Sequence, residues 1–232
     1  MFNLSQNTTK AYNFAPSLGE VVLSAFGRIQ VRPAEITQSH MFSARMAANL
    51  LLSEWSNLQP NLWEIGLQSV PLIAGAATYS VPAEVVMILD GYITYGTPPI
   101  DRYINPISRT EYASISNKTA QGFPSQFWFD RLISPTITFY LTPDGAFPYV
   151  FKYYSVRQTQ DADFANGLNV EIPFRHYEAY TAGLAWKLSE TYMPALEDKL
   201  FARYQRAWTI ASTQDVENVA LAIVPGTSGY FR

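Results

Sequence analysis

Residues 33–58, PAEITQSHMFSARMAANLLLSEWSNL, constrain the fold of this chain more than any other stretch. Ile36, Ala44, Ala47, Leu51, Trp55 and Leu58 recur at helical spacing, and Met41, Ala48 and Leu52 thicken the same side into an apolar face. Pro33 suits a first helical turn, where its missing N–H is not needed, and Pro60 prevents the helix from running further. The spacing predicts one helix over all 26 residues, about 39 Å long at ~1.5 Å per residue. A helix of that length needs other helices to cover it.

Candidate partners lie on both sides in sequence. Ser17 and Glu20 have the spacing of a capping box, and Val21, Val22, Ala25 and Phe26 give the next turns an apolar side that ends near Gly27. Toward the C-terminus, Pro173 opens a second helical stretch with Tyr177, Tyr180, Leu184, Leu188 and Tyr192 on one side. Pro194 breaks it and opens another, with Leu196, Leu200, Tyr204, Trp208 and Ala211 at four-residue steps. The last two should fold back on each other as an antiparallel pair.

Between the helical halves the period changes. From Trp63 to Tyr154, short runs rich in Val, Ile, Tyr and Thr are broken by Pro and Gly, predicting strands over 63–72, 77–81, 85–94, 100–107, 126–130, 136–141 and 149–157. Segments 73–76 and 142–145 read as turns, and Ser108 with Glu111 predicts a short helix. The expected fold class is α+β: a four-helix bundle of two N-terminal and two C-terminal helices, an inserted strand-rich β domain, and extended terminal arms. Its expected divisions are an N-terminal arm and helix pair over 1–62 and the β domain over 63–157. A polar connector with the C-terminal helix pair occupies 158–215, and a C-terminal arm 216–232.

Composition bears on function mainly by exclusion. Net charge is −3 with no block of Lys or Arg, so no phosphate-gripping patch is indicated. Cysteine is absent, which removes thiolate nucleophiles, thiolate metal sites and disulfides together and fits an intracellular origin. The first residues lack a basic-then-apolar leader pattern, and no uncharged apolar run has spanning length, so the expectation is a protein that does not cross a membrane. Charged residues are only 15% of a chain that carries 29 Tyr and Phe, and so sparse a charge suggests a surface partly covered by other chains.

No catalytic, cofactor-binding or metal-ligating set is expected. The two histidines, His40 and His176, come without HExxH, and neither GxxxxGK[ST] nor GxGxxG occurs. Residues 161–167, DADFANG, begin like a calcium loop, but Ala165 stands at its fifth position, Gly167 comes one residue late and Ile172 replaces the bidentate Glu. The aromatics of 127–129 and 151–154 have the chemistry to stack on sugars or bases, but alternation in strands favours a core or a subunit contact.

The order of segments carries a resemblance. The helix pair ending LLSEWSNLQPNLWEIG, the phrase PLIAGAATYSVP, the succession SRTEYASI to GFPSQFWFD, TITFYLTPDG and IPFRHYEAYTAGLAWKLSETY resemble the head-to-tail adaptor proteins of short-tailed bacteriophages over most of residues 17–215. That family includes the packaged-DNA stabilisation and tail tubular proteins. The resemblance implies a structural virion protein, assembled in the host cytoplasm, that forms a homo-oligomeric ring, usually twelvefold, beneath the portal protein. Such a ring extends the channel for double-stranded DNA, without sequence-specific binding, and docks the tail nozzle or tail tubular protein. It implies no enzyme activity and no cofactor. By the family's C-terminal arm, Ala220, Leu221, Ile223, Val224, Tyr230 and Phe231 are the expected portal-binding residues, while Tyr112 and Trp128 are weaker candidates for the next-component surface. The competing class is a sugar-recognising β module of a tail fibre, which accounts for the aromatics but not for the two helical halves.

Overall fold

The computed structural model describes residue 11 and residues 14–58, 62–164 and 169–213. Among these described residues, five α-helices and ten strands make an α+β fold with two separate hydrophobic clusters, one among the helices and one between sheets.

Helix α1 (Leu18–Arg28) starts where the capping box predicts. Ser17 Oγ accepts the Glu20 N–H, and Glu20 Oε2 accepts the Ser17 N–H at 2.8 Å. Gly27 lies near its end as expected, one residue before the last helical residue, Arg28. The single long helix expected over 33–58 is two pieces. A 3-10 turn, Pro33–Glu35, is followed by extended backbone at Ile36, and α2 (Gln38–Leu58) begins beyond it. Local side chains account for the break: Glu35 accepts the Arg32 N–H, whereas the Thr37 N–H donates to His40 Nδ1 at 3.0 Å, so each piece has its own start. Helix α2 buries Ala44, Ala48, Leu51, Leu52 and Trp55, and Leu58, expected on that face, is exposed.

Ten strands succeed α2: β1 (Ile65–Pro71), β2 (Thr78–Ser80), β3 (Val85–Tyr95), β4 (Ile100–Tyr103), β5 (Asn105–Pro106), β6 (Gln121–Gly122), β7 (Gln126–Asp130), β8 (Thr136–Tyr140), β9 (Thr142–Pro143) and β10 (Val150–Arg157). One sheet has the order β1-β10-β3-β4, all antiparallel, and a second the order β2-β8-β7-β5, while β6 and β9 form a short parallel pair. The run expected over 100–107 is therefore two strands in different sheets. They meet at the buried Ile104, whose N–H still bonds Gly91 of the first sheet while Asn105 already bonds Ser125 at the second. Residues 142–143, expected in a turn, pair as β9. Phe151 on β10 bridges the sheets, 5.2 Å from the Phe127 ring and 4.9 Å from Phe139. Gly91 lies beneath it, where an added Cβ would fall 2.6 Å from the Phe151 ring. Helix α3 (Arg109–Ser114) has the expected Ser108–Glu111 capping box.

The segment over 158–172 is not simply a polar connector: Ala162, Val170 and Ile172 are buried in the helical cluster. Asn49 on α2 clamps it, accepting the Ala162 N–H at 2.7 Å and donating to the Ala162 carbonyl at 3.1 Å. After a 3-10 turn, Phe174–His176, helix α4 (Tyr177–Tyr192) packs against α1, α2 and α5 (Glu197–Ser212), and most of its residues are buried. At its closest approach Gly183 admits the neighbours: a Cβ there would lie 2.8 Å from Leu51 Cδ2 and 3.0 Å from the Tyr204 ring.

Candidate assembly surfaces

The helical and sheet halves are joined by a polar lock flanked by aromatic rings. Arg157, the last residue of β10, grips Glu171 with both terminal nitrogens, one at 2.9 Å to Oε2, and the same carboxylate accepts the Gln160 N–H at 3.2 Å. The bonds from Arg157 hold the Glu171 carboxyl below the usual range, and the Glu171 contact raises the Arg157 guanidinium. Beside it the buried Glu64 accepts a hydrogen bond from Thr159 Oγ1, tying the chain entering β1 to the chain leaving β10. Trp63 packs on His176 with ring centroids 4.6 Å apart, and Trp55 and Trp208 close around the same imidazole.

Both histidines thus sit in structural positions. His40 caps α2 and lies against Phe26 and Tyr192, and His176 is buried among three indoles. Among the described residues no three His, Cys, Asp or Glu side chains are placed to hold a metal ion. Of the segment that begins like a calcium loop, Asp163 pairs with Arg45 at 3.4 Å, while residues 165–168 lie outside the described residues. Most of the aromatics with sugar-stacking chemistry are taken up in the fold. Phe127, Phe151 and Tyr153 are buried between the sheets, and Trp128 stacks on Tyr112 at 5.3 Å.

Part of the exposed surface is apolar and organised. Phe42, Met46 and Leu50, spaced four apart on α2, form a ridge that is 61%, 52% and 56% exposed. It borders a groove of about 320 Å³ walled on the far side by Lys187 and Glu190 of α4, and a second of about 210 Å³ beside Asp161 and Asp163. A pocket of about 460 Å³ opens between α1 and the start of α4, floored by Val21, Tyr177 and Thr181 and rimmed by the exposed Phe14 and Phe174. The first sheet turns Leu67, Tyr103 and Tyr154 outward, with Lys152 Nζ 5.9 Å above the Tyr92 ring. The exposed apolar side chains on these surfaces have the chemistry of contact faces.

A family model described as SU10 adaptor protein matches residues 27–225. The chain belongs to this family of bacteriophage head-to-tail adaptors. No curated protein matches it. In this SU10 adaptor family member the match begins at Gly27, so nearly all of α1 precedes it although α1 is built into the helical core. Among the described residues no helix is long and apolar enough to cross a membrane. The expected portal-binding residues Ala220, Leu221, Ile223, Val224, Tyr230 and Phe231 all lie outside the described residues. Tyr112 and Trp128 are brought together, but as a half-buried stack with Lys118 Nζ 5.7 Å from the Tyr112 ring. The α2 ridge was missed by sequence reasoning, although Phe42, Met46 and Leu50 carry a four-residue signal of their own.

Proposed function

We propose that this SU10 adaptor family member is a non-enzymatic virion protein of the head-to-tail junction, forming a ring beneath the portal, twelvefold, that extends the DNA channel and docks the nozzle. The family match over 27–225 carries the reading. Apolar surfaces on more than one side of the helical half, and histidines held in packing roles, support it. A net charge of −3 suits a channel through which DNA slides, because each basic contact adds a salt-dependent grip. In this reading α1, α2, α4 and α5 act as a four-helix bundle that builds the ring, the β unit over 63–157 is inserted in it, and assembly takes place in the host cytoplasm. The arm residues Ala220, Leu221, Ile223, Val224, Tyr230 and Phe231 bind the portal. Co-sedimentation with the portal ring tests this. Full-length chain should join it stoichiometrically and a chain truncated after Gln214 should not; a truncated chain that binds with full affinity removes the arm from the proposal.

A further inference from the structure

The free edges of the two four-stranded sheets are guarded unequally. At one edge of the first sheet, β4 is four residues long and carries Asp101 and Arg102. The second sheet ends in the three-residue β2 and in β5, which contains Pro106. Short, charged or proline-bearing edges resist the addition of a further strand. The remaining edge, β1, has no such device before Pro71: its seven residues, IGLQSVP, are uncharged. Register fixes which of its backbone groups are open. Ile65 lies opposite Val156 and Pro71 opposite Val150, and just beyond them the Leu72 N–H bonds the Tyr149 carbonyl at 2.9 Å. Bonded and non-bonded positions alternate along an antiparallel pair, so Gly66, Gln68 and Val70 bond β10, whereas the N–H and C=O groups of Leu67 and Ser69 point away from it. Among the described residues no backbone group pairs with them there.

The chain carries a strand of matching length close by. Residues 219–224, VALAIV, are six apolar residues, three of them β-branched, closed by Pro225. They lie outside the described residues, which stop at Thr213. Trp208 of α5 and Trp63, two residues before β1, pack on the same His176 imidazole, with ring centroids 6.1 and 4.6 Å from it. Thr213 follows Trp208 by about 7.5 Å of helix rise, and the stretch 214–218 spans up to ~17 Å when extended. That length carries the chain from the end of α5 to Ile65. On the outer face of the sheet, the exposed Leu67 and the Tyr154 opposite it offer apolar contact to the side chains of an added strand.

We propose that residues 219–224 add to β1 as a fifth strand of the first sheet, entering beside Ile65 and running parallel to β1 toward Pro71. Main-chain bonds to Leu67 and Ser69 hold it there. The segment contains Ala220, Leu221, Ile223 and Val224, four of the residues expected to bind the portal. The docked strand therefore keeps the arm closed on its own chain until the portal competes for it. That consequence, unlike the docking, rests on the adaptor reading.

Amide hydrogen exchange, followed residue by residue by NMR on dilute full-length chain without portal, tests the docking. The Leu67 and Ser69 amides should exchange at least about tenfold more slowly than in a chain truncated after Gln214. Gln68 and Val70, bonded to β10, should exchange alike in both and so report an intact fold. Proline cannot donate to a ladder, so at least one of Ala222→Pro and Ile223→Pro in full-length chain should restore the fast rate. Equal rates at Leu67 and Ser69 in full-length and truncated chain overturn the proposal. Protection that disappears on dilution also overturns it, because it would place the segment on another copy. Adding the portal ring should return both amides to the fast rate as the chain binds. Protection that persists in portal-bound chain overturns the closed arm alone, and docked chain that ignores the portal overturns the adaptor reading alone.

Discussion

Trp55 on α2 donates its indole N–H to the Tyr204 phenol oxygen on α5 at 2.9 Å, inside the helical core. Two helices that are 149 residues apart at this bond are thereby fixed in rotation about their own axes. Burial pushes the Tyr204 phenol up to about 12, although the bond from Trp55 pulls the other way. The folded state therefore holds its proton more tightly than the unfolded chain. This contribution to stability is whole below pH ~10 and is lost as pH rises from there toward 12. Tyr204→Phe should lower stability at neutral pH by about 1–3 kcal/mol, because Trp55 keeps a buried donor without its acceptor. The variant should also lose part of the alkaline slope. Urea unfolding followed by tryptophan fluorescence at pH 7 and pH 11 measures both.

Gly183→Ala should destabilise despite the better helix propensity of alanine. The new methyl would lie 2.8 Å from Leu51 Cδ2. Overpacking of this kind costs about 1–3 kcal/mol, against a propensity gain of at most ~1 kcal/mol. A thermal midpoint equal to or above that of the wild type would show that the contact relaxes freely.

The Arg157–Glu171 pair should make the junction between the halves acid-sensitive. Arg157 lowers the Glu171 pKa in the folded state, so the stabilisation is full above the ordinary carboxylate value of ~4.3 and disappears as pH falls below it. Glu171→Gln should be less stable than wild type at pH 7, and the gap should narrow as pH falls through the carboxylate range. Parallel pH profiles for the two proteins would show that the pair contributes nothing.

Ser17→Ala removes the hydroxyl that accepts the Glu20 N–H at the start of α1. The expected cost is about 1 kcal/mol. Hydrogen exchange should quicken most at the first amides of α1, which lose their acceptor, and little within α5.

Much of this architecture is legible in the sequence wherever a local chemical signal sets an element. The Ser-x-x-Glu pairs at Ser17 and Ser108 mark the starts of α1 and α3, and the aromatic-rich run 126–130 matches β7 to the residue. Elsewhere a periodic pattern conceals a local one. The apolar spacing of 33–58 runs on through Ile36 and Thr37, but Glu35 and His40 bond the backbone there and divide it. Ile104 reads as one more residue of a strand, and only the second sheet reveals it as a corner. The α2 ridge escaped for a related reason. Phe42, Met46 and Leu50 interleave with Ala44, Ala48 and Leu51, so the helix is apolar on two sides and periodicity does not say which one faces inward. The expected arm lies beyond the described residues, where no packing relation bears on it.

The bond from Thr159 to Glu64 sets the points where the chain enters and leaves the β unit side by side. Everything from β1 to β10 therefore hangs from one doorway, and the helices on its far side are held together by contacts that do not pass through it. A recombination event with breakpoints at these two positions would exchange the whole β unit as a cassette. Such an exchange would leave the contacts of the helical core uncut.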